Sequence, residues 1–205
     1  RKKIRKTKKK SKTFNKEKQN ELIKKLHFNL TDDQKQTLDE INKDLMSTDK
    51  MFRLLQGDVG SGKTIVSLLA SYNTIISGFQ VAFMAPTEIL ARQHYNLAKK
   101  IFPKNIRIEL ISGKSNYKEK KNIQLSLANN NIDLIFGTHA IFQKKIIFKK
   151  LGLIIIDEQH KFGVNQRKRL SDKGGPNCDV LLMTATPIPR TLTMTIYGDM
   201  DISII

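Results

Sequence analysis

The sequence contains a single cysteine, Cys178, among its 205 residues. A lone cysteine cannot form an internal disulfide and leaves no cysteine cluster to hold a metal ion, so we expect a buried thiol in a reducing cytosol. The sequence also lacks an uninterrupted apolar run of membrane-spanning length, and its charged start lacks the apolar core of a secretory signal. These absences favour a soluble cytoplasmic protein.

Acidic residues are scarce relative to basic ones, with 19 Asp and Glu against 37 Lys and Arg and a net charge of +18. Nine of the basic residues lie within residues 1–12, which contain no acid. Such a run is either a solvated tail or a contact for a polyanion, for which a nucleic-acid backbone is the obvious candidate. The charge alone leaves both interpretations open. The length and the apolar content of 39% provide for one well-buried domain.

Helical patterns and apolar runs alternate along the chain. Thr31 and Gln34 match a capping box and predict the start of a helix. Apolar residues at helical spacing support this helix and one before it: Leu22, Ile23, Leu26, Leu38, Ile41 and Leu45. Strands are predicted at the later apolar runs, residues 81–84, 106–111, 132–136, 153–156 and 180–183. Continuous apolar strands joined by crossovers are typical of a mostly parallel sheet with helices on both faces, so we predict a doubly wound α/β domain with ligands at the carboxyl ends of its strands.

A glycine-rich segment, GDVGSGKT, follows the apolar pair Leu54-Leu55. Glycines let the backbone curl so that its N–H groups face a phosphate, and the helix that begins near Lys63 adds its positive end. We predict that Lys63 reaches the β and γ phosphates and that the Thr64 hydroxyl binds Mg²⁺. The whole segment is predicted to hold a nucleoside triphosphate: Gly57, Asp58, Val59, Gly60, Ser61, Gly62, Lys63 and Thr64.

Two adjacent acids, Asp157 and Glu158, follow the predicted strand at residues 153–156. Asp157 can hold Mg²⁺ through its water shell, and Glu158 can orient and deprotonate the water that attacks the γ-phosphate. The alternative is that the two acids cap the next helix. We interpret His160 as a hydrogen-bond relay toward Thr184 and Thr186, because no second His or Cys lies at ligand spacing.

Two other classes of protein account for part of the sequence. A GTPase requires the guanine-binding motif Asn-Lys-x-Asp after the phosphate loop. Residues 42–45 are similar to this motif, but they precede the loop and have the wrong spacing. A non-catalytic nucleic-acid-binding module explains the charge but not Lys63, Asp157 and Glu158 together. An enzyme that hydrolyses a nucleoside triphosphate explains both.

Three segments resemble motifs I, II and III of superfamily-two helicases: residues 57–64, 157–160 (DEQH) and 184–186 (TAT). Longer stretches are similar to the RecG family of bacterial branch-migration helicases: residues 53–64, 84–94, 157–167 and 183–201. The transcription-repair coupling translocases are similar in GDVG and TATPIPR but typically have a second Glu where Gln159 stands. Gln159 and residues 197–201 favour the RecG family.

The resemblance implies roles for further residues. Phe28 and Gln34 match the family's Q motif, in which the ring stacks on adenine and the amide reads its edge, so ATP is preferred over GTP. His27 stands where the family usually has proline. Residues that match motifs Ia and Ib line the nucleic-acid track in such motors: Pro86, Thr87, Arg92, Gln93, Thr138 and His139. Their plainer interpretation is helix capping and turn chemistry.

The resemblance also implies how the protein is organised. Residues 1–20 resemble the basic linker that precedes the motor, and residues 21–205 resemble its first RecA-like lobe, so we expect a piece of a longer protein. A second RecA-like lobe, which donates an arginine finger, and a DNA-splitting wedge domain complete such a helicase. The implied activity is unwinding and branch migration of replication forks and Holliday junctions in recombination and repair, driven by ATP and Mg²⁺ at the bacterial nucleoid. The piece alone is expected to be nearly inactive.

Overall fold

The structure is a computed structural model that describes residues 8–113, 115–157, 174–186 and 200–205. Helices and strands alternate through most of this part of the chain. The helices are α1 (Lys16–Lys24), α2 (Asp32–Met46), α3 (Lys63–Ile76), α4 (Glu88–Ile101) and α5 (Tyr117–Ala128), with a short 3₁₀ helix at His139–Phe142. The strands are β1 (Phe52–Gln56), β2 (Gln80–Met84), β3 (Ile108–Ile111), β4 (Leu134–Gly137), β5 (Leu151–Ile156), β6 (Asp179–Thr184) and β7 (Asp201–Ile204).

The seven strands form one sheet in the order β3-β4-β2-β5-β6-β1-β7, and every neighbouring pair is parallel. The carboxyl ends of all seven strands therefore lie along the same edge. At this edge β1 leads into the phosphate loop, β5 into Asp157, and β2 and β4 into the segments that match motifs Ia and Ib. The predicted α/β fold with a parallel sheet is confirmed.

Both faces of the sheet are buried, and this explains why its strands are continuous apolar runs rather than alternating ones. Leu55, Phe83 and Ile155 pack into a core on the face that carries α2, α3 and α4. Their chain neighbours Leu54 and Ile154 pack into a second core on the opposite face. Successive side chains of one strand thus enter different cores, and a polar residue at either position would be buried.

The predicted strands are all present, with small differences at their ends. β3 and β4 begin two residues later than the apolar runs indicated. Asp133, just before β4, accepts hydrogen bonds from the backbone N–H and the guanidinium of Arg107. The Arg107–Asp133 pair joins the chain just before β3 to the chain just before β4. The capping box of α2 is confirmed, since Thr31 and Gln34 each accept a hydrogen bond from the other's backbone N–H.

Two lysines of the basic run at residues 1–12 are buried against the domain. Lys9 Nζ lies 2.7 Å from Asp179 Oδ2, and Lys12 Nζ lies 2.5 Å from the same oxygen. Asp179 also accepts a hydrogen bond from the Met51 N–H. Burial lowers the pKa of Lys9 below its ordinary value, although the charge of Asp179 opposes that shift. Lys9 and Lys12 are therefore neither solvated nor available to contact a polyanion, so both interpretations of the basic run are wrong for these two residues. The predicted linker boundary at residue 20 falls inside α1.

Candidate nucleotide site

The phosphate loop lies between the carboxyl end of β1 and the amino end of α3. Gly60 and Gly62 have φ angles of 86° and 91°, which place them in the left-handed region where an L side chain is strained. Gly62 caps α3 without a side-chain hydrogen bond. The helix therefore presents the backbone N–H groups of its first turn toward the loop, as an anion-binding helix terminus does.

Lys63 is buried within this loop. Its ammonium donates hydrogen bonds to the carbonyl oxygens of Gly57, at 2.6 Å, and Asp58, at 2.8 Å. Thr64 follows it in the first turn of α3 and is half-buried. Among the described residues, the buried Ser61 hydroxyl has no hydrogen-bond partner. A buried hydroxyl without a partner, inside a loop of N–H donors, fits a site that accepts a phosphate group.

Gln34 connects α2 to the phosphate loop. Its side-chain nitrogen donates to the Ser61 carbonyl at 2.8 Å, while its side-chain oxygen accepts from the Thr31 N–H at 3.0 Å. A Cβ at Gly62 would collide with this amide, so the glycine serves close packing as well as backbone conformation. Gln34 is thus adjacent to the loop, with both its amide nitrogen and its amide oxygen hydrogen-bonded to the backbone, and its contact with adenine stays a prediction. The Phe28 ring, in the segment before α2, is 50% exposed and offers a face for stacking.

Asp157 directly follows β5 on the same sheet edge. Its backbone N–H donates to the Met84 carbonyl of β2, and its side-chain Oδ2 lies 2.9 Å from His94 Nε2. A carboxylate only accepts hydrogen bonds, so the His94 nitrogen donates. His94 has no role in the sequence analysis. The sign that could have revealed it is its place among the apolar residues on the buried face of α4.

The residues of motif III begin at the end of β6. Thr184 accepts a hydrogen bond from the Gly57 N–H through its carbonyl, and its hydroxyl lies 2.9 Å from that of Thr186. The motif is therefore adjacent to the phosphate loop. Glu158 and His160 lie outside the described residues, so the predicted general base and hydrogen-bond relay stay predictions.

The residues that match motifs Ia and Ib follow two neighbouring strands. The Ala85 N–H donates to the Gly137 carbonyl at 2.9 Å, which joins the segments after β2 and β4. Thr87 caps α4 by accepting from the Leu90 N–H. The exposed members of the set are Thr87, Arg92, Gln93 and His139, while Pro86 and Thr138 are half-buried. The capping interpretation is thus correct for Thr87, and contact with nucleic acid stays a prediction for all six.

The profile of the DEAD/DEAH box helicase family matches residues 31–195, which is most of the chain. The chain belongs to that family. Within this helicase family it is 52% identical over 185 residues to the ATP-dependent DNA helicase RecG of Borreliella burgdorferi, and 49% identical over 193 residues to that of Bacillus subtilis. These alignments cover 90% and 94% of the chain, but only 27% and 28% of the two relatives. The chain therefore spans about a quarter of the length of these relatives.

Solved structures agree with this assignment. The structure of RecG bound to a three-way DNA junction superimposes with a TM-score of 0.85 and 44% identity, over 97% of this chain and 27% of that one. The Hef helicase domain of Pyrococcus furiosus has the same fold, with a TM-score of 0.65 at 18% identity. The RecA-like lobe predicted from the sequence is confirmed.

In the part of the chain that the structure describes, no helix is both long and apolar enough to cross a membrane.

Proposed function

We propose that this chain is the ATP-binding first motor lobe of a RecG-like DNA helicase, which couples ATP hydrolysis to unwinding and branch migration of branched DNA. The observation that carries the proposal is the common edge at which the phosphate loop and Asp157 end parallel strands of one sheet. The similarity to RecG over nearly the whole chain supports the choice of DNA as substrate, and the three-way junction bound by one RecG supports branched DNA. Replication forks and Holliday junctions are the branched structures that we propose.

The donor set at this edge fits Mg-ATP. Loop N–H groups and Lys63 would hold the phosphates, and the Phe28 ring and Gln34 amide would contact adenine. Magnesium prefers oxygen ligands and normally keeps several waters beside one or two protein groups. The Thr64 hydroxyl and the Asp157 carboxylate supply such oxygens, and the described residues contain no cluster of three or more metal-ligating side chains. Bound Mg²⁺ would neutralise charge on the β and γ phosphates.

The chemistry also requires a base and a positive charge at the γ-phosphate. Glu158, which directly follows Asp157 in the chain, is the residue we assign as base for the attacking water. The arginine finger would come from a second RecA-like lobe, and a wedge domain would separate the DNA strands. The 1–20 linker and the 21–205 lobe are the division we propose, with the protein acting in the cytoplasm at the bacterial nucleoid.

The test compares the isolated chain with the complete protein. The isolated chain should bind Mg-ATP in calorimetry but release phosphate very slowly, because a missing arginine finger costs on the order of a thousandfold in rate. The complete protein should release phosphate fast, and branched DNA should stimulate it. Fast, DNA-stimulated turnover by the isolated chain would contradict the two-lobe proposal.

A variant of the complete protein separates binding from chemistry. Glu158→Gln should retain ATP binding and lose about a hundredfold or more in turnover, as loss of a positioned base does. Turnover at the parent rate would require another base.

A transcription-repair coupling translocase remains the alternative function, and stimulation by duplex DNA without preference for branches would favour it. A non-catalytic nucleic-acid-binding module would bind DNA with an affinity independent of ATP.

A further inference from the structure

The buried face of α4 contains one polar residue among small and apolar ones. Ala91, His94, Ala98 and Ile101 are the buried residues of the helix, at spacings of three and four. A histidine in such a stripe needs a hydrogen-bond partner because an unpaired buried polar group is costly. The partner of His94 is Asp157, on a different element of the fold.

The His94 ring is held in place from a second direction. Phe83 of β2 is fully buried, and its ring centroid lies 4.9 Å from that of His94 at an interplanar angle of 44°. Both His94 and Asp157 are 8% exposed, so little water competes for their hydrogen bond. The tilted ring contact and the hydrogen bond together fix the orientation of the imidazole, and through it the orientation of the carboxylate.

Helix α4 also carries the surface predicted to contact nucleic acid. Arg92 and Gln93 directly precede His94 in the helix and are exposed. Arg92 lies 3.7 Å from Glu88 across one helical turn, a solvent-exposed pair that a nucleic-acid phosphate can displace without large cost. Because the helix is rigid over one turn, a shift of α4 caused by contact at Arg92 also moves His94.

We propose that His94 is a positioning residue that couples nucleic-acid contact by α4 to the orientation of Asp157 at the nucleotide site. The inference rests on the proposed function, in which Asp157 holds Mg²⁺ and α4 faces DNA. One carboxylate oxygen contacts His94 Nε2, and a carboxylate has enough acceptor sites to serve the metal's water shell as well. Any coupling of this kind is reciprocal: nucleic acid changes the affinity for Mg-nucleotide, and Mg-nucleotide changes the affinity for nucleic acid by the same factor.

The test uses three variants of the complete protein and a fourth in reserve. His94→Phe keeps an aromatic ring against Phe83 but removes the hydrogen bond, and His94→Gln keeps a side-chain N–H at similar reach. Tyr95→Phe, at the next position, is the control because it retains the ring of a half-buried residue and removes only its hydroxyl. His94→Asn is a fourth variant, too short to reach Asp157, and it replaces His94→Phe if that variant does not fold.

Two binding measurements decide the outcome without relying on turnover. The first is the Mg²⁺ concentration that half-saturates binding of a fluorescent, non-hydrolysable ATP analogue. His94→Phe should raise it about tenfold or more, as loss of an outer hydrogen bond to a metal ligand does. The second is the factor by which the Mg-analogue changes the affinity for a synthetic three-way DNA junction. That factor should fall toward one in His94→Phe and stay at the parent value in His94→Gln and Tyr95→Phe.

The possible failures are distinguishable. A parent protein that binds no Mg-nucleotide, or whose junction affinity is independent of nucleotide, would overturn the proposed function and this inference together. A coupled parent with an equally coupled His94→Phe variant would overturn the positioning role alone. Loss of coupling in His94→Gln as severe as in His94→Phe would also overturn it, because the hydrogen bond would not then be the feature that matters.

Discussion

Lys63 and Gly57 are hydrogen-bonded across the phosphate loop, with the ammonium nitrogen 2.6 Å from the carbonyl oxygen. The lysine therefore already lies inside the loop that it is predicted to serve, and its charge is held by backbone carbonyl dipoles. Binding a triphosphate would exchange these carbonyls for phosphate oxygens. The exchange replaces neutral acceptors with charged ones, which form stronger hydrogen bonds.

Replacing Lys63 with alanine should therefore weaken Mg-ATP binding. A hydrogen bond to a charged group contributes about 1.5–3 kcal/mol, which corresponds to roughly tenfold to a hundredfold in affinity. Titration calorimetry measures the loss. Lys35→Ala is the control, since that lysine is exposed on α2 and pairs with Asp32 in its own first turn. Equal affinity in the two variants would exclude Lys63 from the site.

Gln34 permits a test that separates helix capping from support of the phosphate loop. Gln34→Glu retains the side-chain oxygen that accepts from the Thr31 N–H but replaces the donor to the Ser61 carbonyl with a second acceptor. We expect weaker ATP binding together with some loss of stability in urea, because a carboxylate oxygen would then face the Ser61 carbonyl at a buried position. Gln36→Glu adds the same charge at an exposed position of the same helix and should leave ATP binding unchanged. Parent affinity in Gln34→Glu would show that the contact with Ser61 is dispensable.

The buried contact of Lys9 and Lys12 with Asp179 predicts a large effect on stability. Asp179→Asn keeps the shape and the acceptor for the Met51 N–H but leaves two buried ammonium groups without a countercharge. Breaking a buried ion pair by removing one partner costs about 3–5 kcal/mol, measured here by the midpoint of urea unfolding.

The matched control for that experiment removes all three charges. Lys9→Met and Lys12→Met combined with Asp179→Asn should recover most of the lost stability, because apolar residues of similar volume often replace a buried ion pair at little cost. If Asp179→Asn alone unfolds at the parent midpoint, the ion pairs contribute nothing measurable. Replacing the exposed Lys10 instead should leave the midpoint unchanged.

Cys178 predicts a chemical signature of the folded state. Burial raises the pKa of its thiol to about 12, from an ordinary value of 9.0. The thiolate is the reactive form, so iodoacetamide at pH 8 should modify Cys178 only in molecules that have opened. Labelling as fast as that of a free thiol in the folded protein would contradict the buried position.

The same pKa shift has a consequence for stability at alkaline pH. Because the folded thiol holds its proton more tightly than the unfolded one, its contribution to stability is fully present below pH 9 and is lost as the pH rises toward 12. The fall in unfolding free energy across that range should be smaller in Cys178→Val, in which nothing titrates at this position. An identical fall in both proteins would assign it to other groups.

The parallel sheet and the phosphate loop were predictable because each rests on local sequence. Strands buried on both faces must be continuous apolar runs, and a loop that curls around a phosphate requires glycines at fixed positions. β7 was missed because it is a four-residue edge strand, paired with β1 alone among the described strands, and its exposed and buried residues do not form such a run.

The partners of Lys9 and His94 were not predictable for a different reason. Asp179 lies 170 residues from Lys9 in the chain, and nothing local distinguishes Lys9 from its exposed neighbour Lys10. His94 lies 63 residues from Asp157, at the end of the segment of residues 84–94, whose resemblance to the RecG family indicates no partner for it. Pairings over such separations depend on the order of strands in the sheet, which local periodicity does not specify.

Asp179 connects the basic run at residues 1–12 to the phosphate loop through strand β6. Asp179 begins β6, and the other end of that strand, Thr184, accepts the Gly57 N–H of the phosphate loop. β6 is flanked by β5 and β1, so a force transmitted through Lys9 and Lys12 to Asp179 acts on an interior strand of the sheet. That strand is hydrogen-bonded to a neighbour on each side, and both sets of hydrogen bonds resist its displacement. A displacement of the chain near residue 9 would thus be transmitted about 17 Å along β6, to the loop proposed to hold the phosphates.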